Sequence, residues 1–150
     1  MLGCGLGLLL VALYISLYSY WLNPRQPNGP PFKLSATAQR LELTRVIDSQ
    51  LAAFQREDFA GAYGFATEGF KEQFSAEALE KMVRNGYPGM LRSRGASYGV
   101  VVDNGRDAVV IVVLTGLSGR LHHYEYFLVR EPDGWRISGV LQVALPGNFM

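Results

Sequence analysis

The sequence predicts an α+β protein with an N-terminal transmembrane helix, followed by three helices packed on a four-stranded antiparallel sheet. Three observations predict it. Residues 2–22 carry no charge. From Ser35 to about Asp58 apolar residues recur at three- and four-residue steps, and cap and stop residues mark two further helices before residue 88. From residue 97 onward the period changes to β-rich segments divided by tight turns. Helices first and strands second is an α+β layout, with the helices covering one sheet face. A chain of 150 residues is about one domain's worth.

The uncharged run LGCGLGLLLVALYISLYSYWL is long enough to span a membrane, since roughly 20 apolar residues cross a hydrocarbon core. Tyr14, Tyr18, Tyr20 and Trp21 crowd its C-terminal end, where amphipathic rings favour the interface. A cleaved signal peptide would follow a basic stretch and end in small residues, and this run does neither. Cys4 precedes the apolar stretch, the wrong side for a lipoprotein acceptor. Arg25, Lys33 and Arg40 follow the run and nothing basic precedes it, so the positive-inside rule favours a cytoplasmic domain. These features predict a single-pass membrane protein. Residues 23–34, with four prolines, read as a stiff spacer between the anchor and a domain at 35–145, and residues 146–150 as a tail.

Leu43, Val46, Ile47, Leu51 and Phe54 form one apolar stripe and predict a first helix from Ser35 to about Asp58. Asp58 can cap a second, short helix over 59–66. Ser75 caps a third, whose acids fall in the first turn and which Asn85-Gly86 and Pro88 stop. The first strand, 97–102, leads into Asn104-Gly105, a strong hairpin signal. The second strand, 108–115, is β-branched almost throughout. Gly116 to Gly119 turn the chain into a third at 120–130, and Glu131 to Gly134 turn it into a fourth at 135–145. The second strand is apolar on both faces, whereas a sheet with one wet face should alternate. Either the sheet curls round its own core or something covers the second face. The covering is a homodimer packed sheet against sheet, or the chain's own helices and C-terminal tail.

Composition excludes several function classes. With 14 basic and 13 acidic residues the net charge is +1, no footprint for nucleic acid. One cysteine allows no intrachain disulfide and no zinc site built on cysteine pairs. There is no phosphate-binding glycine loop, no nucleophile with a neighbouring base, and no metal-ligand spacing. No cofactor and no metal are expected.

The segments QLAAF (50–54), Asp58-Phe59, AYGFA (62–66), MVRNGYPGML (82–91) and YFLVREPDGWRISG (126–139) resemble an uncharacterised bacterial family, domain of unknown function 4864. The resemblance runs from about Val46 to Val143. The chain has Thr67-Glu68 where the family usually has Ser-Pro, and Val140 where it often has cysteine. The resemblance implies a cone-shaped fold like that of nuclear transport factor two and ketosteroid isomerase, in which a curled sheet wraps a long helix and leaves a pocket. It implies no activity.

Within RLHHYEYFLV (120–129), neighbouring side chains point to opposite faces of a strand. His122, Tyr124 and Tyr126 therefore share one face, and His123 and Glu125 the other. The two histidines cannot serve one substrate as a pair. His122, Tyr124 and Tyr126, with Tyr87, are the candidates for a pocket wall, and packing rings with satisfied hydroxyls are the alternative. His123 and Glu125 lie roughly 7 Å apart along one face, as a solvated pair or as a general base. No catalytic residue is assigned. The sequence therefore predicts a membrane-anchored, non-catalytic module that binds a partner protein through the sheet face or a small apolar ligand in the cone. A small isomerase- or hydratase-like acid/base enzyme, using His122 with a nearby tyrosine, is the rival reading.

Overall fold

Leu43, Ile47, Leu51 and Phe54 line one side of α1 (Thr37–Gln55) and are all buried. A computed structural model describes residues 30–144. The end of α1 is closed by a Schellman-type turn without glycine: the Asp58 amide donates to the Ala53 carbonyl (2.9 Å) and Glu57 takes φ +57°. Asp58 then accepts from the Gly61 amide (2.9 Å) and starts α2 (Phe59–Tyr63). Thr67 caps α3 (Glu68–Gln73) and Ser75 caps α4 (Ala76–Gly86) in the same way. A 3-10 turn at Pro88–Met90 follows and leads the chain into the sheet.

The strands are β1 (Lys33–Leu34), β2 (Ser93–Asp103), β3 (Asp107–Gly116), β4 (Leu121–Glu131) and β5 (Gly134–Val143), antiparallel and ordered in space as in sequence. Alternation divides the sheet into two faces. Ala108, Val110, Val112 and Leu114 of β3, with Tyr124, Tyr126, Leu128, Trp135 and Ile137, are buried and join α1 in one core. Val109, Ile111 and Val113 face the other way and are half-exposed. β2 is bulged twice, between Ser93 and Gly95 and between Tyr98 and Val101. At the β5 edge, the Ile137 amide donates to Phe65 (2.8 Å) and the Thr67 amide donates to Ile137 (3.0 Å), a short parallel bridge.

The β2–β3 turn shows how little chain is needed to fix this register. Asn104 Oδ1 accepts from the amides of Arg106 (3.0 Å) and Asp107 (2.7 Å), and Gly105 supplies φ +88°. Buried Asp103 accepts from the Gly105 amide (3.0 Å) and from the Ser35 hydroxyl. The same carboxylate thus shapes the hairpin and pins β1 beside β2.

Several expectations need correction. The sheet has five strands, not four: Lys33–Leu34 pairs with Asp103 and Val102, inside a stretch that proline content marked as spacer. Among the described residues, helices number four, not three. α3 follows the Thr67 cap but contains Gly69 and is only 6 residues long, so it has no apolar period of its own. The expected transmembrane helix at 2–22 lies outside the described residues, as does the tail at 146–150. Among the described residues no helix is long and apolar enough to cross a membrane. α1 has 19 residues, but Arg40, Glu42, Arg45 and Asp48 interrupt it. The single-pass placement in a membrane, the anchor as a membrane partner, and the side of the membrane inferred from it therefore have no support in the structure and are withdrawn.

Replacing Asp103 by alanine leaves the Ser35 hydroxyl and the Gly105 amide without their acceptor. It is expected to lower stability by about 1–3 kcal/mol, measured by urea denaturation. Asp107→Ala, on the same turn, is expected to change it by less than about 0.5 kcal/mol.

Candidate functional site

The four pocket candidates converge on one short piece of chain. Gly86 ends α4 and Pro88 cannot continue it, so the chain tightens into the Pro88–Met90 turn. This turn sits against the inner face of β4. A Cβ on Gly89 would stand 3.0 Å from the Tyr124 hydroxyl and 3.4 Å from the His122 ring, so glycine is what permits the approach. Met90 is buried, and Tyr126 directs its hydroxyl to the Met90 sulfur at 3.9 Å. Tyr87, at the start of the turn, lies 6.1 Å from Tyr124 between ring centroids and donates to the Val140 carbonyl at 3.0 Å. Tyr124 and Tyr126 are buried, whereas His122 and Tyr87 are half-exposed. The strand face shared by His122, Tyr124 and Tyr126 is therefore the core face, and the chain's own turn packs on it.

A second polar cluster joins α1 to β2. Tyr98 donates its hydroxyl to Asp48 and lies 3.3 Å from the Thr44 carbonyl. Arg40, one turn up α1, donates to the carbonyls of Gly99 (2.9 Å) and Tyr98 (3.2 Å). These bonds satisfy edge carbonyls that the second bulge leaves off the ladder. Helical phase alone marks Asp48 as a solvated charge, and only the pairing of β2 brings Tyr98 to it. On the outer face, His123 lies beside Val113 and Val143, and Glu125 beside Ile111 and Leu141. Both are half-exposed among aliphatic neighbours.

Burial shifts three phenols. Tyr126 is raised by burial, with Tyr124 and Tyr87 adding to it. Tyr98 is raised by burial and then by the adjacent Asp48 carboxylate. Tyr124 is raised by burial and by Tyr87. All three stay protonated at neutral pH, and Tyr98 and Tyr126 use the proton in hydrogen bonds. Trp135, also buried, has its indole N–H without an acceptor among the described residues, and Arg130 lies over its ring at 5.6 Å. Among the described residues no group of three or more His, Cys, Asp or Glu could hold a metal ion.

Sequence reasoning singled out the tyrosines and missed the turn they surround. Gly89 and Met90 carried a signal only in combination: a helix stop, then Pro-Gly, then an apolar residue beside aromatic-rich strands. Truncating Tyr126 to alanine should cost about 3–5 kcal/mol, the range for large aromatic side chains in a core. Tyr126→Phe, which removes only a long contact to sulfur, should cost less than about 1 kcal/mol by thermal or urea unfolding. The raised phenols also set a pH dependence. They keep their protons in the folded chain, whereas in the unfolded chain they ionise near about pH 10. Their contribution to stability is complete below that pH and is lost as pH rises above it. Absorbance titration of tyrosinate should resolve a slow-ionising group from the 8 tyrosines, with melting temperature falling in step.

Comparison with known proteins bears on family and fold. No curated protein matches the chain. Among solved structures, it is similar to the solution structure of a SEC-C motif containing protein from Rhodopseudomonas palustris. The TM-score is 0.50 at 14% identity, over 66% of this chain and 77% of that one. At that identity the likeness speaks for fold alone. The cone superfamily of nuclear transport factor two and ketosteroid isomerase is not confirmed. The model of the family described as domain of unknown function (DUF4864) matches residues 36–149, which takes in the turn, the aromatic strand and the whole helical layer, and the chain belongs to that family.

Proposed function

We propose that this domain is a non-catalytic protein-binding module that presents the outer face of its sheet to a partner. One observation carries the reading: Val109, Ile111 and Val113 run along β3 on the side away from the helices, aliphatic and half-exposed. An antiparallel sheet with a simply hydrated face would alternate apolar and polar residues there. The neighbouring strands extend the surface, with Leu34 74% and Val100 56% exposed. Contiguous exposed aliphatic surface of this kind marks interaction sites on folded domains. The rival reading, an acid/base enzyme using His122 and a tyrosine, has less to support it. Tyr124 and Tyr126 are buried and face the Pro88–Met90 turn rather than an open space.

Bis-ANS fluorescence on the full-length chain separates the two readings. Ile111→Lys places a cation opposite Glu125 in the register and should leave the melting temperature nearly unchanged. It is expected to remove most dye binding, while His122→Ala is expected to leave it intact. The reverse outcome would move the binding surface to the Tyr87–His122 side and end the outer-face reading.

A further inference from the structure

Resting on the protein-binding reading, we infer that the free edge of β2 at Gly95–Ser97 accepts an extended, acidic polypeptide segment as an added strand. β2 is the last long strand on its side of the sheet, and β1 pairs with it only at Val102 and Asp103. Beyond that, Ser35 donates to the Val101 carbonyl, and Arg40 occupies the carbonyls of Gly99 and Tyr98. From Ser97 back to Ser93, no described strand pairs with β2 on the side away from β3. The ladder to β3 is regular through this window: Gly95 faces Thr115, Ala96 Leu114, Ser97 Val113 and Tyr98 Val112. Antiparallel ladders point alternate residues' amide and carbonyl groups to opposite sides. The Tyr98 carbonyl points outward to Arg40, so the backbone groups of Ala96 point outward too. Gly95, Ala96 and Ser97 are exposed and small, which leaves room for another backbone at strand spacing.

Charge names the occupant. Arg94, in β2, and Arg92, just before it, both precede the window, and both are exposed. Arg120 lies two strands away, at the turn where the Gly116 amide donates to its carbonyl, and Ser93 pairs with Gly116. Gln55 donates to Ser93 Oγ at 2.9 Å, which brings the neighbouring Arg56 to the same end. None of these four arginines has a carboxylate partner among the described residues. Of the sheet's acidic side chains, Glu125 lies mid-strand on the outer face, and Asp103, Asp107, Glu131 and Asp133 gather at the opposite end. Arginine pairs bidentately with carboxylates. An edge strand adds main-chain hydrogen bonds that a lipid surface or a nucleic acid cannot supply. The two bulges bound the accepted strand to a short one.

The test is fluorescence anisotropy of the full-length chain with a labelled synthetic peptide of alternating valine and glutamate, against one of alternating valine and lysine. The acidic peptide is expected to bind and the basic one not to. Ala96→Pro removes an outward amide that the ladder to β3 does not use, so the fold should persist and binding should be lost. The Arg92→Glu/Arg94→Glu pair is expected to weaken binding by at least about tenfold at unchanged melting temperature. Amide exchange at Ala96 should slow when the peptide is bound. The inference is overturned if the acidic peptide does not bind at low ionic strength, if both peptides bind alike, or if Ala96→Pro is silent. Binding only to vesicles containing phosphatidylglycerol would overturn it in favour of a lipid surface. Loss of peptide binding on Ile111→Lys but not on Ala96→Pro would end the edge inference and leave the outer-face reading standing.

Discussion

The seating of the Pro88–Met90 turn on the inner face of β4 is the contact on which the rest depends. It joins the last helix to the first long strand, and so it fixes where the helical layer meets the sheet. Met90, Tyr124 and Tyr126 are buried in it, and Gly89 makes the close approach possible. Buried aromatic rings contribute large apolar areas, and their hydroxyls are tolerated only where something nearby can receive them. Here the Met90 sulfur and the Val140 carbonyl do so for Tyr126 and Tyr87. The strand with the most chemistry in its sequence is thereby committed to packing on one side.

That commitment assigns the two faces of the sheet. The inner face is spent on α1, the turn and the aromatic strand. The outer face keeps a valine and isoleucine row with His123 and Glu125 set among it. The two sheet edges are treated differently as well. Segment Phe65–Thr67 bridges β5, while β2 is protected at one end by β1 and Arg40 and left open at the other. Polar groups at this junction serve geometry: Asp48 receives Tyr98, Asp103 receives Ser35, and Glu131 receives the amide at the start of α3 (3.0 Å).

The parts legible in the sequence are those written by local periodicity and local chemistry. The α1 stripe, the Asp58 and Ser75 caps, the Asn104-Gly105 turn and the alternation through β4 all depend on neighbours within a few residues. The parts not legible depend on distant partners. β1 is a strand only because Asp103, 70 positions on from Lys33, holds it there. α3 exists because Thr67 and Glu131 cap it, and Glu131 belongs to another element. What was legible is that His122, Tyr124 and Tyr126 share one strand face, to which the turn brings Tyr87. What fills the space between them was not, because Pro-Gly reads locally as a stop and not as a packing element.

The sequential strand order has a consequence for how the chain assembles. Every contact from β2 to β5 is closed by a turn of a few residues, so each hairpin can form with little loop entropy. The distant closures are few: β1 on β2, α1 on the sheet, Phe65–Thr67 on β5, and the Pro88–Met90 turn on β4. The loop-closure entropy of this chain therefore falls mainly on those distant dockings and little on the hairpins. The same division gives the native state a graded set of openings. β1 and the bridge at β5 are each held by few pairings, which sets them at the low-stability end of that range.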